Sequence, residues 1–164
     1  MKNLVVIRHA KSSWDDPGLA DIDRSLNGRG KHDAPLMGGL LEARGMRPGR
    51  IVCSPAKRAR KTAKLIAEEL GYAAEAIDIR PGIYMEGLPA LIAIIQGLDD
   101  AWQRVYLVGQ NPDLTDLVNR LAGESIDNVP TCGVASIEFE VESWAHIMAG
   151  AGRLAFFDYP KRHY

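Results

Sequence analysis

The stretch Asn3-Leu4-Val5-Val6-Ile7-Arg8-His9-Ala10-Lys11-Ser12-Ser13-Trp14 is an apolar run that stops abruptly at an arginine and a histidine. Leu4 to Ile7 are β-prone with no polar alternation, which predicts a strand covered on both faces. Arg8 and His9 then emerge where that strand leaves the sheet, and open α/β sheets hold their ligands outside such strand ends. An Arg-His pair alone is common. Two later junctions give it company: Val52-Cys53-Ser54-Pro55-Ala56-Lys57-Arg58 and Leu107-Val108-Gly109-Gln110-Asn111-Pro112 each read as buried strand, capping residue, proline and helix. Ser54 and Asn111 are favourable N-caps, and Pro55 and Pro112 fall at the first helical position, where a missing N–H costs nothing. Three strand ends therefore converge on one expected anion pocket.

The rest of the chain repeats the same alternation. Residues 13–26, with Asp, Pro and Gly, read as a surface loop bordering that pocket. Asn27 caps a helix through Ala34, Met37, Leu40, Leu41 and Arg44, closed by Gly45 and expected to kink at Pro35. Ile51–Cys53 is a strand, and the helix from Pro55 to Leu70 buries Ala59, Ala63, Ile66 and Leu70 before Gly71 stops it. A short strand over 77–80, an apolar helix over 89–96, a strand over 105–108 and a helix from Pro112 to Gly123 follow. Ile137, Phe139 and Val141 alternate with Glu138, Glu140 and Glu142, which predicts a strand with one wet face, paired in a hairpin with 154–157. The expected fold is α/β: a three-layer αβα sandwich with a mostly parallel central sheet and an antiparallel C-terminal edge, one domain over residues 1–164.

Composition narrows the function classes. Lys and Arg number 20 against 21 acidic residues, so a net charge of −1 gives no footprint for nucleic acid or an anionic membrane. No apolar run reaches membrane-spanning length and the N-terminus lacks a charged flank followed by a long apolar segment, so a soluble, cytoplasmic protein is expected. Cys53 and Cys132 are too few for a disulfide framework and have no metal-ligand spacing, and read as buried thiols. His32, His146 and His163 read as solvated. No metal or cofactor is expected: glycine-rich phosphate loops are absent and the carboxylates do not cluster as cation ligands.

Arg8-His9-Ala10-Lys11, Asp23-Arg24-Ser25-Leu26, Ser54-Pro55-Ala56-Lys57-Arg58-Ala59 with Thr62-Ala63, and Gly109-Gln110-Asn111-Pro112 resemble, in this order, the motifs of SixA-type phosphohistidine phosphatases. These are a compact branch of the histidine phosphatase (phosphoglycerate mutase-like) superfamily, and the likeness runs from Leu4 to about Ala135. The resemblance implies that His9 is the nucleophile and carries a transient phosphohistidine. A neutral imidazole held as one tautomer suits attack on phosphorus, and Arg8 and Arg58 offer paired donors for phosphoryl oxygens. By periodicity Arg58 could equally be a solvated member of the cluster Lys57, Arg58, Arg60, Lys61 and Lys64; the motif match decides for the pocket. Ser12 is a candidate phosphate donor. Arg24 either orients the loop and touches substrate or forms an ion pair with Asp21 or Asp23.

Gln110 departs from the family, whose members usually carry a second histidine there. Its amide can donate a hydrogen bond but brings no charge and exchanges no proton. Glu86 is the candidate general acid, although a surface turn is the likelier reading of its position. A missing acid favours a phosphoramidate, whose leaving nitrogen is readily protonated, over an alkyl phosphate. Three readings stay open: a metal-independent phosphohistidine phosphatase, a phosphate-binding pseudo-enzyme weakened at Gln110, and a small-molecule phosphomonoesterase. The expected partner is a phosphorylated protein, such as a histidine-containing phosphotransfer domain, or a small phosphorylated molecule.

Overall fold

The computed structural model describes residues 1–164, and its centre is the strand predicted first, β1 (Lys2–Arg8). Leu4, Val5, Val6 and Ile7 are fully buried because β1 is inside a six-stranded sheet, and each side chain meets helices on its own face. The other strands are β2 (Arg50–Cys53), β3 (Asp78–Ile79), β4 (Arg104–Gly109), β5 (Val134–Phe139) and β6 (Arg153–Asp158), in the order β3-β2-β4-β1-β5-β6. β3, β2, β4 and β1 pair in parallel, whereas β5 runs antiparallel to β1 and β6 antiparallel to β5.

Helices α1 (Gly28–Ala43) and α2 (Lys57–Leu70) cover one face, packing Met37, Leu41, Ala59, Ala63 and Ile66 against Val5, Ile7, Ile51 and Tyr106. Helices α3 (Leu88–Gln96) and α4 (Asp113–Ala122) cover the other, where Leu91, Ile95, Leu117 and Leu121 meet Leu4, Val6, Val105 and Leu107. Alternate residues of one apolar strand thus feed two cores, which is why β1 shows no polar alternation. The layers are those expected, αβα with the antiparallel edge at the C-terminal end. No helix is long and apolar enough to cross a membrane.

Local signals behaved unevenly. Asn27 caps α1 by accepting from the Gly30 N–H at 2.9 Å, and Gly71 and Gly123 close α2 and α4 in the left-handed conformation with φ of 67° and 64°. α1 continues across Pro35, whose missing N–H leaves the Lys31 carbonyl without its intrahelical donor. Two helix starts are later than expected. α2 begins at Lys57 rather than Pro55, and α4 at Asp113 rather than Pro112, which follows a cis Asn111–Pro112 peptide. Both side chains still serve these turns while bonding beyond them: Ser54 Oγ accepts from the Ala56 N–H at 3.2 Å, and Asn111 satisfies a first-turn donor of α4. The Ser54 hydroxyl donates to Gln110 Oε1 at 2.8 Å, while Asn111 Oδ1 accepts from the N–H and hydroxyl of Thr115 at 3.1 and 2.9 Å. β5 also starts earlier and stops at Phe139, so the wet-face reading of Val141 and Glu142 fails. With partners on both sides and cores above and below, Val134, Ala135, Ser136 and Ile137 are all buried. His163 is not simply solvated, since its Nε2 is 2.8 Å from both carboxylate oxygens of Asp158.

Candidate active site

A cavity of about 570 Å³ opens at the carboxyl ends of β1 and β4, lined among others by Arg8, His9, Ser12, Arg24, Arg58 and Gln110. Backbone bonds fasten its floor: the His9 N–H donates to the Gly109 carbonyl, the Ser54 N–H to Val108, and the Cys132 N–H to the His9 carbonyl, at 2.9–3.0 Å. The chain then turns away under two buried constraints. Thr62 Oγ1 accepts from the Ala10 N–H at 2.9 Å and donates to the Arg58 carbonyl at 2.8 Å, tying β1's exit to α2. Gly30 lies so close to the Lys11 backbone that an added Cβ would sit 2.2 Å from its carbonyl oxygen, so only glycine lets α1 approach.

His9 is 6% exposed and points one edge of its ring into the cavity. Nδ1 is 2.7 Å from the Ala10 carbonyl, which can only accept, so Nδ1 carries the proton and Nε2 the lone pair. Burial, with the charges of Arg58, Arg8 and Arg24 added, lowers its pKa to about 4 against the opposing Ala10 bond, so the ring is neutral near pH 7. Arg58 Nε lies 3.4 Å from His9 Nε2. Arg58 is the second residue of α2 and 4% exposed; side chains there lean back over the helix start, toward the cavity. Arg8 lines the cavity and spends Nη1 on the Val129 carbonyl at 2.9 Å, while its Nε is buried with no partner. Burial, then Arg58, lowers the pKa of Arg8.

Asp21 and Tyr84 are the residues that sequence reasoning missed as a group. Asp21 Oδ2 accepts from Arg58 Nη2 at 3.0 Å and from the Tyr84 hydroxyl at 2.6 Å, Oδ1 from Arg24 Nη2 at 3.3 Å, and the Asp21 carbonyl from Arg58 Nη1 at 2.7 Å. One carboxylate therefore bridges two buried guanidiniums at the mouth of the cavity. The Tyr84 bond, ahead of the arginines, holds the Asp21 carboxyl below its ordinary range, and the same bond raises the Tyr84 phenol. The only hint in the chain was Asp21 as an ion-pair partner for Arg24; nothing marked Tyr84.

Arg24 forms the ion pair with Asp21 and also lines the cavity, where it donates to the Ser12 hydroxyl at 3.0 Å and stacks 3.5 Å over the Trp14 ring. Ser12 is also on the wall and buried. Gln110 reaches the cavity with most of its amide committed. Oε1 accepts from Ser54, and Nε2 donates to the Ile83 carbonyl at 2.7 Å; since that carbonyl needs a donor, the amide cannot be flipped. One N–H is left for a ligand. Glu86 is exposed and is not on the cavity wall, although its neighbours Met85 and Gly87 are. The wall carboxylates are Asp21 and Asp113. Cys53 and Cys132 are fully buried thiols with pKa values raised by desolvation.

The arrangement presents three guanidiniums and an imidazole lone pair to one cavity, a set matched to a tetrahedral oxyanion. Comparisons with known proteins agree with that chemistry. The family model "Histidine phosphatase superfamily (branch 1)" matches residues 4–83. The uncharacterized protein Rv1276c of Mycobacterium tuberculosis is 31% identical over 167 residues, covering 94% of this chain and 100% of the relative. Among solved structures, the protein histidine phosphatase SixA complexed with tungstate superposes with a TM-score of 0.84 at 21% identity, over 98% of both chains. A SixA-type protein of Agrobacterium tumefaciens gives 0.81 at 28% identity, over 97% of this chain and 98% of the other.

Proposed function

Since the chain belongs to the histidine phosphatase superfamily, we propose that it hydrolyses phosphohistidine through a phosphorylated His9. The observation that carries this reading is the tautomer of His9, with its lone pair on Nε2 beside the Arg58 guanidinium inside the cavity. In the first step the Nε2 lone pair attacks phosphorus and the bond from phosphorus to the leaving imidazole nitrogen breaks, that nitrogen keeping or taking a solvent proton. In the second, water attacks the phosphoryl group, the bond to Nε2 breaks, and phosphate leaves with the water's proton lost to solvent. Arg8, Arg58 and Arg24 meet the charge on the equatorial oxygens in place of a metal ion, with Ser12 and the free N–H of Gln110 as further donors. A nitrogen leaving group suits a site whose wall carboxylate, Asp21, is held as an anion and stores no proton. The tungstate complex of the similarly folded SixA supports oxyanion capture in this architecture. Two buried, unpaired thiols fit a reducing, cytoplasmic setting.

Gln110 favours a second reading, a pseudo-phosphatase that binds phosphate and turns over little, because the residue brings no charge and one usable N–H. Turnover of a phosphohistidine peptide beside a sugar phosphate, with His9→Ala as control, separates the readings. His9-dependent release of phosphate from the peptide, with an acid-labile phosphoenzyme trapped on quenching, is the expected result. Vanadate binding without turnover of either substrate would establish the pseudo-phosphatase instead, and a preference for the sugar phosphate would establish a phosphomonoesterase.

A further inference from the structure

A second, basic depression of about 430 Å³ lies behind the wall of the active-site cavity. Lys31 from α1 and Lys57, Arg60, Lys61 and Lys64 from α2 line it, with Ser25 and Leu26 as its remaining residues. No carboxylate is among them, and none of the five cations takes part in an ion pair, whereas most pairs elsewhere engage arginines with nearby acids. In a chain of net charge −1 such a concentration is not a composition effect. Five like charges around one hollow repel each other, so the arrangement weakens the free protein slightly and gains from an anionic partner.

Placement ties the hollow to the chemistry. Arg24 and Arg58 face the active-site cavity, while Ser25 and Lys57, their neighbours in the chain, face the basic hollow, so one layer of backbone separates the two. Two large apolar side chains stand exposed on the otherwise polar cavity wall: Trp14 and Met85 are 72% and 73% exposed. Large exposed apolar side chains beside a catalytic opening fit a macromolecular surface better than a small ligand in solution.

We propose that this hollow docks an acidic surface of the protein that carries the phosphoryl group, with Trp14 and Met85 contacting the residues around the phosphorylated side chain. The inference rests on the phosphohistidine reading and adds the chemistry of the partner. Acidic protein is favoured over nucleic acid because the hollow has no aromatic face on which a base could stack. Charge complementarity of this kind acts mainly on encounter, so it raises kcat/KM and is screened by salt.

The test uses three phosphohistidine peptides identical for three residues on either side of the phosphorylated site, with glutamate-rich, serine-rich or lysine-rich flanks. At low ionic strength the glutamate-rich peptide is expected to show a kcat/KM roughly tenfold or more above the serine-rich one, and the advantage should vanish near 0.5 M salt. Lys57→Glu/Lys61→Glu/Lys64→Glu should abolish or invert the preference while leaving turnover of free phosphoramidate within about twofold; Lys57→Ser/Lys61→Ser/Lys64→Ser gives the same readout should the reversed protein fold poorly. Equal rates on all three peptides, with His9-dependent turnover intact, would overturn the docking surface and spare the phosphatase. If no peptide is hydrolysed the catalytic reading fails, and docking is then read from binding of the unphosphorylated glutamate-rich peptide, whose failure to bind would overturn it too. An oligonucleotide of equal charge displacing that peptide at the same concentration would show an unselective anion groove and refute the acidic-protein assignment.

Discussion

Acidification should cost this protein stability through His9, by an amount that the site's geometry sets. In the folded chain the ring is buried beside Arg58, Arg8 and Arg24, with a pKa lowered to about 4; in the unfolded chain it titrates near 6.5. Between those values the unfolded state binds more protons than the folded one, so stability rises with pH, is complete above 6.5, and is lost as pH falls toward 4. The gap corresponds to ~3 kcal/mol for this residue, a substantial part of the 5–15 kcal/mol typical of a domain. Solvent relaxation in the open cavity lowers that toward ~2 kcal/mol, since continuum interiors overstate desolvation near water. Other groups titrate over the same range, so the measurement is a difference: urea unfolding of the wild type and of His9→Gln at half-unit steps from pH 7.5 to 4.5. The difference in unfolding free energy should drift by about 2 kcal/mol in favour of the variant on acidification, and saturating vanadate, an anion beside the imidazole, should reduce the drift. A difference that stays flat across the window, or an imidazole that titrates near 6.5 by NMR in the folded protein, would refute the claim that burial among cations keeps His9 neutral.

Three further substitutions probe the parts around that ring. Gln110→His should raise kcat/KM on a phosphohistidine peptide by about 10–10² if charge at this position limits turnover; a folded variant with unchanged or slower turnover would show that the missing charge is not what limits the site. Asp21→Asn keeps the hydrogen-bonding shape but removes the anion that occupies Arg58 and Arg24, so vanadate should bind roughly 3- to 10-fold tighter by inhibition, at about 0.7–1.4 kcal/mol after screening at this half-exposed carboxylate. Thr62→Val is nearly isosteric but leaves the buried Ala10 N–H without an acceptor, which should lower stability by about 1–3 kcal/mol in chemical unfolding and slow turnover as the His9 exit loosens.

What the chain disclosed follows from the range of each interaction. The sheet's central strands were readable because burial on both faces is written into consecutive residues, as in Leu4 to Ile7, and the helix ends at Gly71 and Gly123 because a left-handed turn selects for glycine locally. The convergence of the three strand ends was readable for a topological reason, since parallel strands aligned side by side must end side by side; that Arg58 turns into the pocket came from the motif resemblance. Failures came where a side chain answers to a distant partner. Ser54 and Asn111 keep cap-like bonds to the Ala56 and Thr115 N–H groups, but Ser54 also braces Gln110 from another strand end, and both helices start later than the prolines suggest. Val134 to Ser136 lacked a strand's alternation because β6 and two cores bury them together.

Asp21 is the sharpest case, one of several acids in a polar loop with no local feature to set it apart from Asp15, Asp16 or Asp23. Its identity depends on the same convergence that creates the site. Two buried guanidiniums forced together around a neutral imidazole require an anion nearby, and before substrate arrives the chain's own carboxylate supplies it. On the phosphatase reading proposed above, a cavity that takes a phosphoryl group must also be stable without one, and the loop carrying Asp21 meets that second requirement.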